Sequence, residues 1–176
     1  MFLLKKYIQF INYFSTKTGE LVSWLSLLLV GVVCYDVGMR YVANRSSVAV
    51  QELEWHIFAL IFLLAAPYTL RNNNHVRVDV IYAKMTEKTK AWVNLLGCAL
   101  FLIPFCILVV YTSKDFVTSS FLWKEGSPDP GGLEMRWLLK SVIPLSFFLL
   151  MLQAFSMLFS SLLTITGHSS EEKANV

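Results

Sequence analysis

Charge is scarce in this chain, and its scarcity is the first constraint on what the chain can be. Lys, Arg, Asp and Glu make up 15% of the 176 residues while 56% are hydrophobic, against about 25% charged in an ordinary soluble domain. A chain of that composition has to be covered by lipid or by other helices. The net charge is only +3, and the basic residues are spread over several loops with no basic face, so nucleic acid is not an expected partner. Cysteine is rare too: Cys34, Cys98 and Cys106 lie inside apolar runs without a CxxC spacing, which argues against a disulfide framework and against a zinc site. Of the three histidines, His56 and His75 stand at opposite ends of one apolar run and His168 is in the tail. A membrane haem would find no two axial ligands at matching depth. Phosphate-loop and nucleophile-elbow patterns are missing, which leaves an ATPase motor or a hydrolase without support. No enzymatic activity, metal or cofactor is expected of this chain.

What the sequence has instead is long apolar runs. The organising one lies between Glu52 and Asp79: from Ile57 to Leu70 no residue is charged. With Leu53 and Trp55 its reach matches the ~30 Å of a hydrocarbon core. Runs of the same kind at 21–42, 91–111 and 137–165 complete a set of four. The fold class expected is all-α, an integral membrane protein with four transmembrane helices (21–42, 53–70, 91–111 and 137–165) in a single membrane domain, 1–176. Residues 2–16 place Leu4, Ile8, Ile11 and Phe14 on one side of a helix and Lys5, Gln9, Asn12 and Thr16 on the other. That pattern predicts an amphipathic helix lying in the membrane interface; Lys5 and Lys6 inside the apolar stretch, with no small-residue cleavage site after it, speak against a signal peptide. Pro67, Pro104 and Pro144 are expected to kink their helices. Small residues at Gly97, Cys98 and Ala99 would admit a close neighbouring helix. Residues 112–136, interrupted by SPDPGG, are expected as a loop, and 167–176 as a polar tail.

The few charges near the spans admit two kinds of reading. Asp36 and Arg40 are four apart and so stack on a helix; a paired contact is favoured over a proton relay because no further acid joins them. Glu52 and Glu54 stand at the start of the second span but point to different sides, which suits helix-start charges or partners for another chain better than a sodium site. His75 and Asp79 are too few for a metal site, and the alternation in HVRVDV fits a short extended or interfacial segment. Trp24, Trp55, Trp92 and Trp137 each fall near the start of one span, where tryptophan anchors a helix to the bilayer surface. Nine of the fifteen Lys and Arg fall on the side of the N- and C-termini and six on the other. That bias predicts cytoplasmic termini and a periplasmic 112–136 loop.

Four stretches together resemble one family: YDVGMRY at 35–41, QELEWHIFALIFLLAAPYTLR at 51–71, HVRVDV at 75–80 and EGSPDPGGLEMRWLLKSVIP at 125–144. They are similar to the small membrane subunit of tripartite ATP-independent periplasmic (TRAP) transporters, the DctQ type. Within it the likeness is greatest to the branch labelled for mannitol and chloroaromatic substrates. The resemblance implies a bacterial inner-membrane protein with four helices, a small scaffold subunit. Its partners would be a large membrane subunit that carries the substrate and sodium sites and moves as an elevator, and a periplasmic binding protein that delivers an organic acid. On that footing Glu52, Glu54, Arg71, His75, Arg77, Asp79, Arg136 and Lys140 are expected to contact the large subunit. Trp123, Lys124, Glu125 and Asp129 are expected to contact the binding protein. Glu134 departs from the family, which often has proline after GGL. The competing expectation is a free-standing four-helix membrane scaffold or assembly factor with no transport role.

Overall fold

The computed structural model describes residues 2–72 and 85–167. Their regular structure is all helical, in four long helices. α1 is Phe2–Val42, α2 is Val48–Arg71, α3 is Glu87–Leu122 and α4 is Arg136–Ile165, and all four are long and apolar enough to cross a membrane. α4 lies at the centre, packed on the other three, while α1 also packs along α2.

The amphipathic stretch 2–16 and the span 21–42 form one uninterrupted helix of 41 residues, about 60 Å long at the helical rise. Between them stand Lys17, Thr18, Gly19 and Glu20, which do not break it. Thr16 and Thr18 return their hydroxyls to the carbonyls of Asn12 and Phe14 at 2.8 and 3.0 Å, and Lys17 pairs with Glu20 at 2.7 Å. Hydroxyls bonded back in this way leave the helical ladder intact. The N-terminal part of α1 buries Ile8, Ile11 and Ser15.

Two proline sites show how the chain accommodates a missing N–H. Pro67 sits buried inside α2, which runs on to Arg71. In α3 the residues Cys98–Leu102 form a π-helical turn just ahead of Pro104, closed by the Ile103 N–H donating to the Cys98 carbonyl. Widening the turn there relieves the clash of the pyrrolidine ring with the preceding carbonyls. α3 also continues to Leu122, well past 111, because residues 112–122 are polar but contain neither Gly nor Pro. It ends there, ahead of the breaker stretch 126–132.

Burial is inverted relative to a soluble protein. Phe58, Phe62, Phe101, Trp24 and Tyr111 are exposed, while Ser15, Ser146, Gln153, Ser156, Asp36 and Glu52 are buried. Large apolar side chains outward and small or hydrogen-bonded ones between helices is the arrangement expected when lipid is the solvent. The apolar centre is made by Leu70, Ile103, Cys106, Leu150 and Ala154, from α2, α3 and α4. At Gly19 a Cβ would stand 2.5 Å from the Tyr68 ring, so α1 passes close to α2 there. At Gly97 the space is open.

Candidate functional site

At the Glu52 end, the connection between α3 and α4 is a compact loop, 123–135. α3 ends on a left-handed residue, Lys124 (φ 46°). Lys124 N–H donates to the Phe121 carbonyl and Glu125 N–H to the Ser120 carbonyl, at 3.2 and 3.0 Å. That bond pair is a Schellman ending, with lysine where glycine is usual. The loop then closes on itself through Ser127 N–H to Leu133 O and Arg136 N–H to Glu125 O, both 3.0 Å.

The loop is closed around a carboxylate from α2. Glu52 is 5% exposed. It accepts the Ser127 hydroxyl at 2.6 Å, the Leu133 N–H at 2.5 Å and the Arg136 guanidinium at 3.2 Å. Charge-assisted bonds of this kind satisfy a buried carboxylate. Gly132 makes room for it: a Cβ there would stand 2.3 Å from Ser127 Oγ and 2.7 Å from Glu52 Oε2. A second ion pair, Lys140 with Glu125, ties the end of α3 to α4. The Lys140 ammonium is the main cause that holds the Glu125 carboxyl below the usual carboxylate range, with the Arg136 charge the smallest. Lys140 also lies 4.0 Å from the centre of the Phe116 ring, and the Arg136 guanidinium 5.7 Å from that of Trp55.

Several of the residues expected to contact partner subunits have partners within this chain. Glu52, Arg136 and Lys140 find their counter-charges within this chain, because the loop folds back over the start of α2 and brings opposite charges together. Glu125 is likewise turned toward Lys140 and is only part-exposed, whereas Trp123, Lys124 and Asp129 face outward. Glu54 is half-buried, and among the described residues its buried Oε1 has no hydrogen-bond partner. Asp36, buried, and Arg40, exposed, are joined as an ion pair along α1. Arg71 donates to the Thr16 hydroxyl across the α1–α2 seam. His75, Arg77 and Asp79 lie outside the described residues. Trp24, Trp55 and Trp92 are exposed, and Trp137 packs edge-on against Phe121 at 5.2 Å.

A second polar cluster escaped the sequence reading. Gln153 of α4 accepts the Ser15 hydroxyl at 2.7 Å and donates to Asn12 Oδ1 at 3.0 Å, and Ser156 donates to the same oxygen at 3.3 Å. Tyr7 adds a bond to the Leu152 carbonyl at 3.1 Å. Together these fasten the N-terminal part of α1 to α4. The signal was present in the sequence: Gln153 is a lone amide in the last apolar run, with Ser156 three residues on, and Asn12 and Ser15 are also three apart.

Among the described residues, no three His, Cys, Asp or Glu side chains are grouped as a metal ion would need. Both polar clusters bind parts of this chain to one another. A family model described as "Tripartite ATP-independent periplasmic transporters, DctQ component" matches residues 29–164. No curated protein matches the chain, and no solved structure does. The matched stretch takes in the Glu52 carboxylate, the whole loop that encloses it and nearly all of α4. By that match and its four membrane-length helices, the chain belongs to the DctQ component family of tripartite ATP-independent periplasmic transporters, a family of transporter components rather than of enzymes.

Proposed function

We propose that this chain is the fixed small subunit against which a large elevator-type membrane subunit moves during sodium-coupled, binding-protein-dependent uptake of an organic acid. The observation that carries this reading is the family match over 29–164. The way the chain uses its polar residues supports it. The carboxylate of Glu52 and the amide of Gln153 are both committed to holding helices and loop together, which suits a rigid wall.

In this reading the 123–135 loop faces the periplasm, and its exposed Trp123, Lys124 and Asp129 meet the binding protein. Glu54, with a buried oxygen that nothing among the described residues satisfies, is completed by a donor from the large subunit, since an unpaired buried carboxylate oxygen is costly. Reporter fusions after Asn74 and after Ser127 test the orientation; a periplasmic signal from the first would reverse it. Reconstitution tests the function. Liposomes holding this chain with a co-purifying large subunit and binding protein are expected to accumulate solute, and liposomes holding this chain alone are not. Accumulation by the chain alone would overturn the reading.

A further inference from the structure

The starts of α1 and α3 meet the ends of α2 and α4 at the far end of the bundle from the 123–135 loop. There the four helices line one polar cavity of about 350 Å³, and the scaffold reading makes no use of it. Gln153 and Ser156, in its wall, are spent on Asn12. What is left over is a set of donors. Asn12 accepts both of those bonds on Oδ1, so its amide N–H groups remain. Thr164 returns its hydroxyl to the Ser160 carbonyl at 3.1 Å, as hydroxyls in helices commonly do. Ser161 does not: it is 6% exposed, and among the described residues its hydroxyl has no hydrogen-bond partner.

Charge and depth identify what belongs there. Arg71 donates to the Thr16 hydroxyl, and among the described residues no carboxylate pairs with it. Lys90 stands 3.4 Å from Glu87. Two cations and one carboxylate leave the lining with one net positive charge. α2 has 24 residues, about 36 Å at the helical rise, a little more than the ~30 Å of hydrocarbon. Arg71 at its end therefore stands at the level of lipid phosphates. Leu70 packs in one cluster with Ala154, so Ser161 and Thr164 lie about 10 and 15 Å further out along α4. The cavity thus has an uncompensated cation at its inner end and hydroxyls at its outer end. We propose that it binds a glycerol phosphate group, the phosphate against Arg71 and Asn12 and the glycerol hydroxyls against Ser161 and Thr164. One negative charge balances the lining, and a neutral polyol would leave it bare. The same group arrives either as the headgroup of phosphatidylglycerol or as soluble glycerol 3-phosphate.

The test is native mass spectrometry of the full chain in mild detergent, titrated with phosphatidylglycerol, phosphatidylcholine or glycerol 3-phosphate. Phosphatidylglycerol is expected to be retained about tenfold better than phosphatidylcholine, whose headgroup has no net charge and no hydroxyl. Arg71→Gln is expected to lower retention of the glycerol phosphate ligand about fivefold, the effect of one basic residue near an anionic headgroup. Ser161→Ala is expected to lower it about threefold, the loss of one hydrogen bond, and gives a second reading if the Arg71 variant does not fold. Lys17→Gln is the control, since Lys17 lines the neighbouring cavity on the other side of Arg71 and not this one; unchanged retention is expected. Competition by glycerol 3-phosphate at the lipid's own concentration assigns the site to a soluble ester, and its absence assigns it to the lipid headgroup. Equal retention of the two lipids with no retention of glycerol 3-phosphate would sink the proposal. So would unchanged retention in Ser161→Ala, or a loss in Lys17→Gln as large as that in Arg71→Gln, which would move the anion to the other side of Arg71.

Discussion

Gly132 lies against Glu52 so closely that a single added carbon would stand 2.7 Å from the Glu52 Oε2 oxygen. The glycine of the loop and the acid of α2 therefore depend on one another. The carboxylate reaches the Leu133 N–H only because residue 132 has no side chain, and the loop holds its shape only because the carboxylate is there to accept from Ser127, Leu133 and Arg136.

Gly132→Ala is accordingly expected to destabilise the folded protein by about 1–3 kcal/mol, the range for forcing an extra carbon into a filled site. Glu52→Ala removes the acceptor that Arg136 and Ser127 share. The two changes act on one contact, so the double variant is expected to be less destabilised than the sum of the singles. Thermal unfolding in detergent, followed for all three variants, checks this. Simple additivity would show that the glycine and the carboxylate are independent.

The Glu125–Lys140 pair makes a pH-dependent contribution whose sign is fixed by the direction of the shift. Glu125 titrates below an unfolded carboxylate because Lys140 favours its charged form. The stability it contributes is complete above the ordinary carboxylate range and is lost as the pH falls through the lowered value. Glu125→Gln is expected to flatten the acid side of the unfolding-midpoint profile and to leave the neutral side parallel to that of the parent. An unchanged acid limb in the variant would show that other carboxylates set the profile.

Much of the fold was legible in the sequence because lipid imposes a simple rule: runs of about 20 apolar residues become helices, since no backbone polar group can be left bare in hydrocarbon. The spacing of Asp36 and Arg40 was readable for the same reason, being a property of one helix. The partners of Glu52 were not. They stand 75 to 84 residues further on, and nothing local says that the loop folds back over α2. The extent of α1 and α3 was hidden for another reason. Residues 17–20 and 112–122 are polar enough to look like boundaries, yet polar residues without Gly or Pro clusters continue a helix once its ends are held by packing. Gln153 could have been noticed as a lone amide, but its partners on α1 belong to the amphipathic stretch 2–16, whose polar face reads from sequence as facing water.

Gln153→Leu tests that last point. The substitution keeps the size of the side chain roughly the same and leaves Ser15 and Asn12 without their shared partner. Between membrane helices such bonds contribute about 0.6 kcal/mol on average and up to about 1.7. Destabilisation near the upper value is expected, because two groups lose a partner together. Protease accessibility around Lys5 and Lys6 should rise in the variant if the network is what fastens the N-terminal part of α1 to α4; unaltered cleavage would assign that role to Ile8 and Ile11 alone.

Lys124 separates stability from recognition in the same loop. Its left-handed backbone (φ 46°) costs a lysine about 1 kcal/mol or more and a glycine almost nothing. Lys124→Gly should therefore raise the unfolding midpoint, the gain being trimmed by the greater chain entropy of glycine when unfolded. A strained residue kept at an exposed loop position points to a use for its side chain, and the reading above gives it one, contact with the binding protein. Two measurements on one variant then decide the matter. A more stable protein whose complex transports poorly at limiting binding protein, with Lys124→Arg restoring transport, is the expected outcome. A more stable protein with unchanged transport would leave the lysine with no part in docking and move the contact to Trp123 and Asp129.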